Sequence, residues 1–190
     1  FVFSTLIGEI LKAAIMKCRG KVAGGLILLM AFTSCSMDAL RENLIVTGES
    51  GYNFTESSKL WLKLKARHKD TYQYSILEIS VTNLGGETTI SVEKGKVLTR
   101  SYEQFMISEE DGSRTVLFSF TEDQNSLGSN SEGAPPKTID ELYETCLRDY
   151  MSIDPDRNTI YFDTNKQGVI SLCGYVPDLC QDDCFVGFEM

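Results

Sequence analysis

Between Thr71 and Thr121 the chain sets four extended stretches almost end to end, and that spacing constrains everything that can follow. Tyr72, Tyr74 and Ile76 alternate on one face, and Leu77, Ile79 and Val81 continue in the opposite phase, which predicts a bulge or bend near residue 76. Residues 83–87, with Gly85-Gly86, read as a turn, and residues 88–92 as a second strand with Ile90 and Val92 inward. Lys94-Gly95 reads as a hairpin turn into 97–107. The turn Glu109–Gly112 then leads to 115–121, where Val116, Phe118 and Phe120 share a face. Parallel pairing needs long crossovers, so strands this close in sequence are antiparallel neighbours.

Two helices flank this run. Asn53 and Glu56 have the spacing of a capping box, and Leu60, Trp61, Leu64 and His68 fall on one face of a helix over 53–68. Thr138 and Glu141 repeat the box, followed by Ile139, Leu142, Tyr143, Cys146, Leu147 and Tyr150 as an apolar stripe that requires a sheet to cover. Asp154-Pro155 closes that helix, and a final hairpin is expected from 159–162 and 169–176. Residues 122–137 (EDQNSLGSNSEGAPPK) hold one sizeable apolar side chain, Leu127, and read as a mobile surface loop. The expected fold is α+β: a mainly antiparallel sheet of five to six strands with two helices packed on one face, in a single domain over 53–190.

Ahead of the domain the sequence changes character. Residues 1–15, which precede the first methionine, read as an upstream or non-native extension. From Met16, the cations Lys17, Arg19 and Lys21 precede an apolar run at 24–32 that is about half the length of a membrane span. With Phe32-Thr33-Ser34-Cys35 the segment 16–34 resembles a bacterial lipoprotein signal, which implies acylation of Cys35 and a tether over 35–52. Acyl chains bury roughly 0.8 kcal/mol per CH2, so such a protein is anchored to a membrane without spanning it. The implied partner is membrane lipid, and the implied location is the bacterial cell envelope, at the outer membrane and facing the periplasm or the surface.

Four cysteines remain beyond Cys35: Cys146, Cys173, Cys180 and Cys184. In an exported chain an even number points to two disulfides, with three connectivities open. The favoured pairing is Cys173 with Cys180, closing the GYVPDL loop, and Cys146 with Cys184. Zinc is disfavoured because Cys180-x3-Cys184 is the only short spacing, and thiol redox chemistry because Cys-x-x-Cys is absent.

Charge narrows the function classes further. Residues 1–34 carry four basic side chains (Lys12, Lys17, Arg19, Lys21) and one acidic (Glu9), so 14 basic and 26 acidic remain, a net of −12. Nucleic acid is therefore not expected as a partner, because phosphate binding depends on clustered cations. Lys59, Lys63 and Arg67 recur every four residues on the first helix and form the one basic stripe, either a solvated face or a surface for anionic headgroups, an acidic glycan or an envelope protein.

No catalytic residue, metal site or cofactor is expected. The single histidine, His68, ends a helix, and no phosphate-binding or zinc motif is present. Asp154, Asp156 and Asn158 alternate as in calcium loops, but Thr159 stands where glycine is needed and Asn165 where a bidentate glutamate is needed. The acidic residues Asp178, Asp182 and Asp183 read as a solvated loop, with a weak divalent-ion site as the alternative.

Trp61, Tyr72-Gln-Tyr74, Val92-x-x-Gly95-x-Val97, Thr138-Ile-Asp-Glu-Leu142 and the 160–170 hairpin together resemble a family of small exported bacterial lipoproteins built on a domain of unknown function. The resemblance spans roughly 55–175 and implies an envelope α+β domain, with no site residue carried over. The expected function is thus a non-catalytic, lipid-anchored protein that binds or organises an envelope partner. One alternative is an inhibitor of an exported enzyme, with Tyr175 on a crosslinked loop as its contact. The other is a carboxylate-dependent hydrolase, which requires a cleft with at least two shifted acids.

Overall fold

The computed structural model describes residues 40, 42–80, 82–181 and 184–190; the expectations for residues 1–39, Cys35 included, lie outside the described residues, as do Asp182 and Asp183. The close-spaced strands pair as their spacing requires. β1 (Tyr72–Ile79), β2 (Leu84–Glu93), β3 (Lys96–Ile107) and β4 (Arg114–Glu122) form an antiparallel meander in that order. The remaining strands do not extend it. β5 (Asn158–Thr164), β6 (Ile170–Pro177) and β7 (Val186–Glu189) make a second antiparallel sheet of three strands. The single sheet of five to six strands is therefore corrected to two sheets, within the α+β class. The long return through loop and helix after β4 starts a new hairpin, and the tail adds a strand to that hairpin.

The turn between β1 and β2 also differs from expectation. β1 pairs with β2 without interruption from Tyr72↔Val92 to Ile79↔Gly85, so no bulge occurs near residue 76. Gly85 and Gly86 instead pair within β2, and glycine is required there because a β-carbon would collide with Phe105 at the first and Tyr102 at the second. The reversal falls on Asn83, whose φ of 61° is a left-handed conformation that asparagine tolerates.

α1 (Phe54–Arg67) and α2 (Ile139–Thr145) both carry the expected capping boxes, and a π-helical turn, Cys146–Tyr150, extends α2. The core lies among these helices, β5, β6 and the near edge of β1, with Phe54, Trp61, Ile139, Tyr143, Met151, Phe162 and Ile170 all buried. Trp61 meets Tyr72 edge to face, 4.9 Å between ring centres. The phenols of Tyr72 and Tyr74 seat the start of α2: Ile139 N donates to Tyr72 Oη at 3.0 Å, and Tyr74 Oη donates to Lys137 O at 2.5 Å. Burial, with nearby carboxylates, holds both phenols above their ordinary pKa.

Two buried polar bridges complete this core. Ser57 Oγ donates to Gly168 O at 2.8 Å and lies 2.6 Å from Tyr143 Oη, which also accepts from Ile170 N at 3.0 Å. With its one proton on Gly168, Ser57 accepts from Tyr143, so α1, α2 and the β5–β6 turn share one satisfied network. The second bridge corrects the expected tether. Asn43 is 1% exposed and donates to Met151 O at 3.0 Å and Ile153 O at 2.9 Å, while Leu40, Leu44 and Val46 pack on the core. Glu49 N and Ser50 N donate to the Asp163 carboxylate. Residues 40 and 42–52 thus join the domain through Leu40, Leu44 and Val46, the Asn43 amide and the backbone amides of Glu49 and Ser50.

Candidate functional site

The basic stripe is real as a surface. Phe54, Ser57, Ser58 and Trp61 point inward from α1, so a four-residue spacing carries Lys59, Lys63 and Arg67 around to solvent, and all three are exposed. None forms an ion pair with another described residue. Lys65 does not join them: its Nζ lies 2.7 Å from Asp140 and 3.2 Å from Asp70. Partial burial pulls the Lys65 pKa down, but bonding and attraction to these two carboxylates outweigh it and leave the pKa raised. His68 caps the end of α1 and is exposed, outside the apolar face on which its spacing had placed it.

The disulfides form, with a different pairing from the favoured one. Cys146 joins Cys173, fastening the π-helical turn after α2 to β6 over a Cα–Cα distance of 5.8 Å, and Cys180 joins Cys184 over 6.2 Å. Loop lengths in sequence suggested neighbours along the tail, whereas packing of the Cys146 stripe on β6 puts Cys173 opposite it. Tyr175 in consequence is not on a crosslinked finger. It lies half-buried within β6, paired with Ile160 and Val186, its ring 6.4 Å from that of Tyr150. The exposed apolar residue beside a crosslink is Leu179, 95% exposed next to Cys180–Cys184, with Phe185 resting on Tyr161 nearby.

The 122–137 loop is the feature that sequence reasoning missed. Arg100 and Glu122, each 1% exposed, form a buried ion pair at 3.0 Å on the inner face of the four-stranded sheet. Arg100 spends its other donors on the loop: Nε on Ala134 O at 2.7 Å, Nη1 on Asn130 O at 3.3 Å, and Nη2 on Glu132 O. Glu122 accepts from Gly128 N and Asn130 N, both at 2.8 Å, from Asn130 Nδ2 at 2.9 Å and from Ser129 Oγ at 3.3 Å. Thr88 Oγ1 accepts from Ala134 N at 2.9 Å. Burial would raise the Glu122 pKa, but these donors and the guanidinium outweigh it and bring it down to about 2. A loop expected to be mobile is pinned by nearly every donor and acceptor of one ion pair. The alternation of β3 did place Arg100 on the same face as Tyr102, the only available signal; its partner, 22 residues away, was not legible.

Among the described residues every carboxyl with a resolved shift, Asp111, Glu122, Asp123, Asp149 and Asp163, is held below its ordinary value by donated hydrogen bonds or cations, whereas a general acid needs the reverse. The Asp154 carboxylate accepts from Asp156 N at 3.0 Å, as in an ordinary turn. Among the described residues no group of three His, Cys, Asp or Glu is placed to hold a metal ion, and no helix is long and apolar enough to cross a membrane. At the open edge of the first sheet, Val116, Leu117 and Phe118 of β4 are each about half exposed.

Compared with protein-family models, with curated proteins and with solved structures, the chain matches none.

Proposed function

We propose that the chain is a non-catalytic, lipid-anchored protein of the bacterial cell envelope, acylated at Cys35 and held at the outer membrane, whose domain binds or organises a partner there. The observation that carries this reading is the pairing of Cys146 with Cys173 and of Cys180 with Cys184, because crosslinked domains of this size belong to oxidising, exported compartments. The signal-like segment ending at Cys35 supplies the anchor. The exposed stripe Lys59, Lys63 and Arg67, on a chain of net charge −9, supplies a surface for an acidic glycan or an envelope protein.

Intact mass of the chain expressed from Met16 in a bacterial host tests it. The expected mass is that of Cys35–Met190 with three acyl chains, rising by four hydrogens on reduction. Retention of residues 16–34, or a mass unchanged by reduction, overturns the reading.

A second reading, an inhibitor or binding module acting on an exported enzyme, is favoured by Leu179. A nearly fully exposed leucine beside a crosslinked loop is a pre-organised apolar contact. Pull-down of exported hydrolases that is lost on Leu179→Ser supports it, and equal capture by both forms counts against it.

A further inference from the structure

We infer that the docking surface is wider than one helix and takes a linear polyanion of the acidic polysaccharide class, laid over Lys59, Lys63 and Arg67 of α1 and on across Lys69, Lys94 and Lys96. The inference rests on the reading that the basic face of α1 is a docking surface, and it adds a second structural element and the class of partner.

The fold extends the row. Four residues advance an α-helix by about 6 Å and turn it by about 40°, so Lys59, Lys63 and Arg67 run roughly 12 Å along α1 while winding about its axis. Beyond the helix cap, Lys69 and Asp70 both take left-handed φ values, 53° and 56°, and reverse the chain into β1. That reversal meets the turn between β2 and β3: Gly95 N donates to Asp70 O at 2.9 Å, and Lys94 N to Thr71 Oγ1 at 3.4 Å. Lys94 and Lys96, on either side of Gly95, are thereby set beside Lys69, from which 24 residues of sequence separate the nearer of them. All six cations are exposed. No acidic residue lies between Glu56 and Asp70 in the chain. Of the acids nearest the row, Glu56 is held in the capping box of α1, Asp70 lies 3.2 Å from Lys65, and Glu93 lies 3.4 Å from Lys94 in an exposed pair that water and salt screen. Six of the 14 basic residues that follow Cys35 therefore gather on adjoining elements of an otherwise acidic domain.

The rest of this surface selects among anionic partners. Within residues 54–71 and 93–97 no large apolar side chain is exposed. Protein interfaces centre on such side chains, single-stranded nucleic acid stacks its bases on them, and faces that lie in a membrane insert them. An acidic polysaccharide needs none of these, because its charged groups stand on a chain that stays hydrated. Shape points the same way. A row that winds about a helix and crosses onto a neighbouring turn can be followed by a flexible strand, whereas a planar lipid surface meets only part of it. At a Debye length of about 8 Å, a strand lying along the row interacts with these cations and little with the acidic remainder of the domain, which a plane would also face.

The test measures binding of the full chain carrying Cys35→Ser, so that no acyl chain contributes, to polygalacturonate, with neutral dextran as the control polymer. Binding to polygalacturonate alone is expected, weakening at least about tenfold between roughly 50 and 200 mM salt as counterions are released. Lys63→Gln with Arg67→Gln, and separately Lys94→Gln with Lys96→Gln, should each weaken it at least about fivefold, because each pair removes two of the contacts that release counterions. Arg148→Gln with Arg157→Gln removes the same charge from exposed positions elsewhere and should change it less than about twofold. Unchanged thermal unfolding confirms that the variants fold. A loss at Lys63 and Arg67 without one at Lys94 and Lys96 overturns the inference and leaves the basic face of α1 as a docking surface. Absence of binding to polygalacturonate, or tighter binding to phosphatidylglycerol vesicles or single-stranded DNA, overturns the choice of partner and with it the inference. Equal losses in all three pairs overturn both the inference and the reading of this face as a docking surface.

Discussion

The two halves of the domain are closed by opposite means. Around α1, α2 and the three-stranded sheet, the cover is apolar: Phe54, Trp61, Tyr143, Met151 and Phe162 pack together, and Cys146–Cys173 fastens the layers. Over the far part of the four-stranded sheet, the cover is a Ser/Asn/Gly-rich loop with almost no apolar content, held down by Arg100 and Glu122. The first half gains from area removed from water and tolerates small displacements. The second depends on geometry, because a buried charge is stable only while each of its partners is in place. A loop therefore need not be greasy to be ordered, provided one ion pair satisfies its backbone.

Removing either charge should break the second half hardest. Arg100→Met leaves the Glu122 carboxylate buried without its cation and is expected to cost about 3–5 kcal/mol in urea unfolding. In a double-mutant cycle, Arg100→Met with Glu122→Leu should cost clearly less than the sum of the single changes; additivity would show that the pair does not act as a unit.

In the apolar half the comparable experiment is on the crosslinks. Replacing Cys146 and Cys173 by alanine opens a loop with a sequence separation of 27 and should cost roughly 3–4 kcal/mol. Replacing Cys180 and Cys184, only 4 apart, should cost no more than about 2 kcal/mol. Denaturant midpoints decide the order, and a reversal would mean that the short crosslink carries tertiary contacts of its own.

Smaller still is Tyr143→Phe. It removes the hydroxyl shared by Ser57 and Ile170 and leaves both partners buried, for about 1–3 kcal/mol, measured by thermal unfolding.

Titration separates the halves without mutation. Glu122 titrates at about 2 in the fold, below its ordinary value of 4.5, so its contribution is present above pH 4.5 and is lost as pH falls toward 2. Burial raises Tyr143 from 10 to about 12, so its contribution is complete below pH 10 and is lost as pH rises toward 12. Loop amides should thus lose hydrogen-exchange protection first in acid, and α2 amides first in alkali. An acid limb unchanged in Glu122→Gln would remove the assignment.

Much of this was open to reading in advance. The antiparallel meander followed from turns too short for anything else, and both helix starts from side chains that bond their own backbone within three residues. The exposure of Lys59, Lys63 and Arg67 followed from helical periodicity once Trp61 was taken inward. These are local relations, in which sequence distance and spatial distance nearly coincide.

What the tertiary structure alone decided joins residues far apart in the chain. Cys146 met Cys173 rather than Cys184 because the π-helical turn that extends α2 packs against β6. Arg100 turned a polar linker into a fixed cover because Glu122 stood opposite it in the register of β3 and β4. Asn43 turned most of a tether into part of the domain because the carbonyls of Met151 and Ile153 lay open to it. The sequence by itself determined the helix starts with their caps and the antiparallel order of the first four strands; which distant donors, acceptors and sulfurs met was a property of packing, since only in the folded chain is the cost of an unsatisfied buried group felt.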